Sequence, residues 1–177
     1  YQDFAYRLDR GRSYVRSGSV IDLAITPGRV TAKVLGSELY DVAIGFEAVA
    51  PAAWRAIQRD CAGCIGSLVD LLAGTLSEAV MARLCAERTG LFPSPKGIEI
   101  DCSCPDYASM CKHVAAVLYG VGARLDATPE LLFTLRAVDH LELIGQAVTA
   151  ANLDKSLKSA GGATLAGSDL SEIFGIE

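Results

Sequence analysis

The chain of 177 residues has no long apolar run; its longest, Val114–Ala123, covers ten residues, about half of what a membrane-spanning helix needs. It shows no basic-then-apolar leader. These absences predict a soluble, cytoplasmic protein with no membrane partner. Histidine occurs twice and cysteine six times, too sparsely for a scaffold held by disulfides. A net charge of -5 excludes a basic surface over the whole chain, as a general nucleic-acid binder would have. No GxxxxGK[ST] phosphate loop is present, so the chain has no such motor of its own. No internal repeat is visible.

What is present is enough apolar residue, 51%, to build a core and exclude global disorder. The charge is uneven. Residues 1–40 hold six Lys/Arg against four Asp/Glu, residues 41–125 seven against nine, and residues 126–177 three against eight. The acidity therefore lies in the C-terminal third, while Arg7, Arg10, Arg12 and Arg16 can form a local basic patch near the N-terminus.

The pattern predicts an α+β fold: an antiparallel β-meander followed by helices, with a small zinc-stabilised strand-loop-helix finger. Residues 1–50 form the N-terminal meander. "SVIDLAIT", "RVTAKVL" and "LYDVAIGF" are rich in β-branched and aromatic residues and are separated by the turn signals Pro27-Gly28 and Gly36-Ser37. Val30, Ala32 and Val34 alternate with Thr31 and Lys33, which places one face inward. A further short strand is expected around Tyr14. Residues 51–97 form a helical segment starting at Pro51, with stripes through Ile57, Cys61, Cys64 and Leu68 and through Leu76, Val80, Leu84 and Cys85. Gly90 is expected as a left-handed cap. Residues 98–125 are the finger, 126–150 C-terminal helices from Pro129 onward, and 151–177 a small, polar linker with the terminal tail motif "DLSEIFGIE".

Three cysteines and a histidine crowd into "CSCPDYASMCKH" as two pairs, Cys102/Cys104 and Cys111/His113, each with one intervening residue. In a strand, residues two apart face the same way, so the first pair can aim both sulfurs at one point. Pro105 and Asp106 turn the chain, and the second pair enters at the next helix start. Four soft or borderline ligands in two close pairs are what one structural zinc needs. Four protein ligands also fill the tetrahedron and leave no position for a reactive water. The zinc is accordingly expected to be structural and the protein not to be an enzyme. Three thiolates and one neutral imidazole give the centre a formal charge of -1, which Lys112 can offset. Asp101, Asp106 or a backbone carbonyl should accept from the second nitrogen of His113.

The Cys-x-Cys, spacer, Cys-x-His pattern resembles the SWIM zinc finger, with Cys102, Cys104, Cys111 and His113 matching all four ligand positions. The wider chain, including "SGSVIDLAITPGRVTAKVLGSELYDVAI", "LLAGTLSE" and "SEIFGIE", is similar to bacterial SWIM-domain proteins. The resemblance implies DNA or protein binding and a place beside a Swi/Snf-type helicase. The expected function is a DNA-linked protein-interaction or adaptor module. The alternative is a protein that binds nucleic acid directly through the zinc loop and the N-terminal arginines; Lys112, Tyr107, Arg124, Arg12 and Arg16 are the expected contacts to nucleic acid or to a partner.

Cys61 and Cys64 form a C-x-x-C, the basis of a third, thiol redox reading. They lie inside a helical stripe, where core packing of free cysteine is the simpler account. Cys85 and Trp54 are likewise expected in the core, and His140 in an exposed or capping role.

Overall fold

The computed structural model describes residues 2–62, 77–106 and 108–143. Its order is α1 (Gln2–Arg16), β1 (Val20–Thr26), β2 (Arg29–Leu35), β3 (Leu39–Phe46), α2 (Pro51–Ala62), α3 (Glu78–Leu84), β4 (Ile98–Cys102), α4 (Lys112–Ala127) and α5 (Leu131–Leu135). The four strands form one antiparallel sheet in the order β1-β2-β3-β4. The α+β reading holds, and the strand of the finger is the fourth strand of the meander's sheet, with Cys102 opposite Val42 and Ile100 opposite Ile44.

Local chemistry explains the sheet. Pro27-Gly28 closes β1 onto β2, with Thr26 opposite Arg29 and Gly28 at φ 69°, a conformation that glycine adopts without steric cost. The alternation of Val30, Ala32 and Val34 puts all three inside, and Tyr40, Val42, Ile44 and Phe46 do the same on β3. Against that face lie Val114, Val117 and Val121 of α4. Burying each such side chain contributes about 1.5–3 kcal/mol. Helix α4 is thus the second layer of the core. On the other face, Lys33 pairs with Asp41 in solvent at 2.6 Å.

The first strand expected, around Tyr14, is instead helix. Helix α1 packs across α4 by close backbone approach: a Cβ on Gly11 would sit 2.6 Å from the Ala115 Cβ and 2.8 Å from the Ala116 nitrogen. The helix face turned inward runs Arg7, Gly11, Tyr14, at i, i+4 and i+7. The period is helical, but an arginine, a glycine and a tyrosine do not make an apolar stripe, so hydrophobic periodicity misses it.

A second cluster joins Val49, Trp54, Ile57 and Cys61 to Val80, Leu84, Leu91, Leu132, Phe133 and Leu143. Trp54 is in the core as expected; its Nε1 and the Gln58 Nε2 both donate to one Glu142 oxygen, at 2.5 and 2.7 Å. Cys61 is fully buried. Two expectations fail here. Cys85 is exposed, because it is the cap residue after α3 rather than part of its stripe. The left-handed residue is Arg88, at φ 65°, and not Gly90. Gly90 is needed for another reason: a Cβ there would lie 2.3 Å from the Leu84 carbonyl oxygen. "LFPSPKG" contains one 3-10 turn, Pro95–Gly97. His140 is partly buried, 5.8 Å from the Phe133 ring. Cys64, Leu68, Leu76, most of the last helical stretch and the linker and tail lie outside the described residues. No described helix is long and apolar enough to cross a membrane.

Candidate metal centre

The end of β4 and the start of α4 bring the four expected ligands together. Strand β4 ends at Cys102, before Cys104. The pairing nevertheless continues one residue further: Ser103 donates its N–H to the Asp41 carbonyl at 3.0 Å, and its hydroxyl accepts from the Asp41 N–H at 2.9 Å. This keeps the strand-like alternation through Cys104. At the other side Cys111 is the N-cap of α4, its sulfur accepting from the Val114 N–H at 3.5 Å. An N–H and the positive end of a helix both favour a thiolate there.

The ligand atoms of Cys102, Cys104, Cys111 and His113 all lie within 4.8 Å of one another. His113 presents Nδ1, which is 3.9 Å from both the Cys102 and the Cys111 sulfurs. A tetrahedron with zinc–sulfur bonds of about 2.3 Å has edges of about 3.8 Å, so the donors fit a single ion. Thiolates and imidazole together select zinc over the hard, oxygen-loving cations. The centre is internal: Cys111 is 2% exposed and His113 3%. Its role is structural on this geometry, because all four positions are filled from the chain.

The imidazole is gripped by aromatic rings. Tyr40 stacks on it at 4.4 Å, and Tyr14 meets it edge-on at 5.6 Å. Gly36 permits this, since a Cβ there would come within 3.0 Å of Nε2 and of the Tyr40 ring. Neither Asp101 nor Asp106 accepts from Nε2, which is buried with no hydrogen-bond partner among the described residues. Asp106 is occupied elsewhere: Arg7 of α1 reaches it at 2.5 Å and holds its carboxyl below the usual carboxylate range. Helix α1 is thus tied to the metal loop by Arg7 and to its histidine by Tyr14. Nothing in the spacing of the ligands pointed to Tyr14, Tyr40, Gly36 or Arg7.

Burial pushes the Cys102 thiol up to about 12 and raises Cys111 as well, whereas burial, with the Lys112 and Arg10 charges, lowers His113 to about 4. At neutral pH without metal, both thiols hold their protons and the imidazole holds none. Zinc must then expel a proton from each of the two thiols and none from the histidine. We expect at least two protons released per zinc near pH 7, and an apparent affinity that climbs about two decades or more per pH unit. Titration calorimetry in buffers of different ionisation enthalpy measures this. Release of less than one proton would refute it.

The expected surface contacts are only partly assembled. Lys112, first residue of α4, has its ammonium 5.8 Å from the Tyr14 ring centroid. Exposed Arg12 lies over the Tyr119 ring at 5.4 Å and donates to its hydroxyl at 3.3 Å. Arg16 and Arg124 are exposed in the last turns of α1 and α4, and no described contact links them to either pair. Tyr107 lies outside the described residues.

Fold and centre together define an α+β domain closed around a Cys3His zinc centre. Residues 88–121 match the family described as SWIM zinc finger, and all four ligands fall within that segment. The chain therefore carries a SWIM zinc finger. It is also similar to an uncharacterized protein of Mycobacterium tuberculosis (Rv2102), 35% identical over 157 residues, which are 87% of this chain and 56% of that protein. The chain thus spans about half the length of the curated relative it matches. No solved structure matches it.

Proposed function

We propose that the protein is a zinc-organised interaction module, an adaptor in DNA-linked work that acts on a protein partner rather than as an enzyme. The observation that carries this is the closed, internal centre. With three sulfurs and Nδ1 converging, and Cys111 and His113 buried, the metal has no open position for chemistry. What zinc contributes is the relative placement of α1, the loop after Cys104 and the start of α4. The resemblance to bacterial SWIM-domain proteins supports a Swi/Snf-type helicase as partner and a cytoplasmic setting. The net charge of -5 supports a protein partner over bare nucleic acid.

Direct nucleic-acid contact is a second reading, favoured by one observation. Lys112 and Arg12 each sit against a tyrosine on the α1–α4 face, a pairing of cations with aromatic rings that suits phosphates and stacked bases. The redox reading loses ground with Cys61 fully buried in the second core.

Co-purification from the native host, with and without residues 165–177, tests the first reading. A defined helicase or other DNA-processing partner, lost on deletion, is the expected result; no specific partner refutes it. A gel-shift series decides the second: Arg12→Ala and Lys112→Ala should weaken binding and flatten its salt dependence by about one counter-ion each. No binding at low salt eliminates it.

A further inference from the structure

Away from the zinc centre, a cleft of about 600 Å³ opens between the start of α2 and the segment 85–97. That volume lies within the range of small-molecule sites. At its wall stands Arg136, only 8% exposed. Its Nη1 donates to the Leu91 carbonyl at 2.7 Å, and its Nε is buried without an acceptor. Among the described residues it makes no ion pair. The charge of Glu47, another residue of the cleft, acts on it from beyond ion-pair distance; a buried guanidinium that is neither paired nor fully hydrogen-bonded is rare, because desolvation costs several kcal/mol.

The unused donor of Arg136 is informative. With Nη1 on the Leu91 carbonyl and Nε enclosed, Nη2 is left without a hydrogen-bond partner among the described residues, and a charged N–H donor suits a carboxylate oxygen. The main chain that carries this side chain is also fixed. The Arg136 N–H donates to the Leu132 and Phe133 carbonyls at 3.1 Å, and its own carbonyl accepts from the Val49 N–H at 3.2 Å. Phe92, 53% exposed, lines the same cleft together with Pro93 and Pro95, which gives it apolar surface. The cleft's charged residues balance, Glu47 and Glu87 against Arg88 and Arg136, which disfavours a multiply charged phosphate.

We propose that this cleft binds a small amphipathic carboxylate, its carboxylate paired with Arg136 and its apolar body laid on Phe92, Pro93 and Pro95. The Glu47 side chain sits against Gly97, where a Cβ would be 3.0 Å from its Oε2, and competes with the ligand through its charge.

The test follows the Arg136 Nε–H signal by nitrogen-15 NMR in the full zinc-loaded chain, with 3-phenylpropionate as probe and 3-phenylpropionamide, acetate and inorganic phosphate as comparisons. Phenylpropionate should move that signal with a Kd of about 1 mM or tighter, and the amide should bind at least about ten-fold more weakly. Arg136→Lys removes the tie to Leu91 and risks the fold, so the variants are Phe92→Ser and Glu47→Gln, both exposed positions. Phe92→Ser should weaken binding about ten-fold, and Glu47→Gln should tighten it about three-fold. A signal unmoved by both carboxylates, an equal response to the amide, or stronger binding of phosphate overturns the proposal.

Discussion

Cys111→Ser should abolish zinc binding, from one ion per chain to almost none, and lower stability by about 4 kcal/mol or more, the range reached when a structural metal is lost. The substitution separates two roles of one side chain. Cys111 ligates the metal and also caps α4 through the Val114 N–H. Serine is a good N-cap, so the cap survives and the loss reports the metal. The damage should be local. Of the described residues of the loop 103–111, only Cys104, Met110 and Cys111 join the sheet core, and two of these are ligands, whereas Val114, Val117 and Val121 remain in that core without zinc. Helix α1 should loosen with the loop, because Arg7 holds Asp106 and Tyr14 meets His113. Metal analysis with hydrogen exchange checks this: fast exchange in α1 and residues 103–111, slow exchange in β2 and β3. Full zinc content in the variant, or unchanged protection of α1, would sink the idea.

Gly11→Val should destabilise the protein by about 2–3 kcal/mol while leaving one zinc bound. Valine is a better helix former than glycine by a few tenths of a kcal/mol. Against that, the Cβ would meet Ala115 and Ala116 at 2.6–2.8 Å, and overpacking a tight contact costs about 1–3 kcal/mol or more. The neighbours cannot yield, since one contact is a backbone nitrogen and both residues are themselves fully buried. Gly122→Ala on α4 is the matched control. A Cβ there meets nothing within 4 Å, so helix propensity alone acts and stability should rise by about 0.5–1 kcal/mol. Urea unfolding of the pair settles it; equal effects of the two substitutions would show that α1 does not pack on α4 as described.

The metal ligands were legible because paired cysteine and histidine spacing is a local code: strand geometry aligns Cys102 with Cys104, and a helix start presents Cys111 and His113. The meander was legible because Val30, Ala32 and Val34 alternate with polar neighbours and Pro27-Gly28 marks the hairpin. The residues that complete the centre were not. Tyr14 and Tyr40 come from distant positions, and Gly36 is required only because an imidazole lies above it. Helix α1 escaped notice because its inward face is made by close approach at Gly11 and by an ion pair, neither of which leaves an apolar period. Cys85 and Gly90 were misassigned for a related reason: α3 ends at Leu84, and the chain then turns on Arg88.

The sequence by itself determined that this chain binds one zinc ion through Cys102, Cys104, Cys111 and His113, and that an antiparallel meander precedes the finger, since both follow from contacts among near neighbours in the chain. Only the tertiary structure decided that β4 belongs to the meander's sheet, that α1 clamps the metal loop, and that Arg136 is buried beside an open cleft with no ion pair among the described residues. Those facts depend on which distant surfaces meet, and burial, close approach and charge pairing across long separations carry no periodic signature in a single chain.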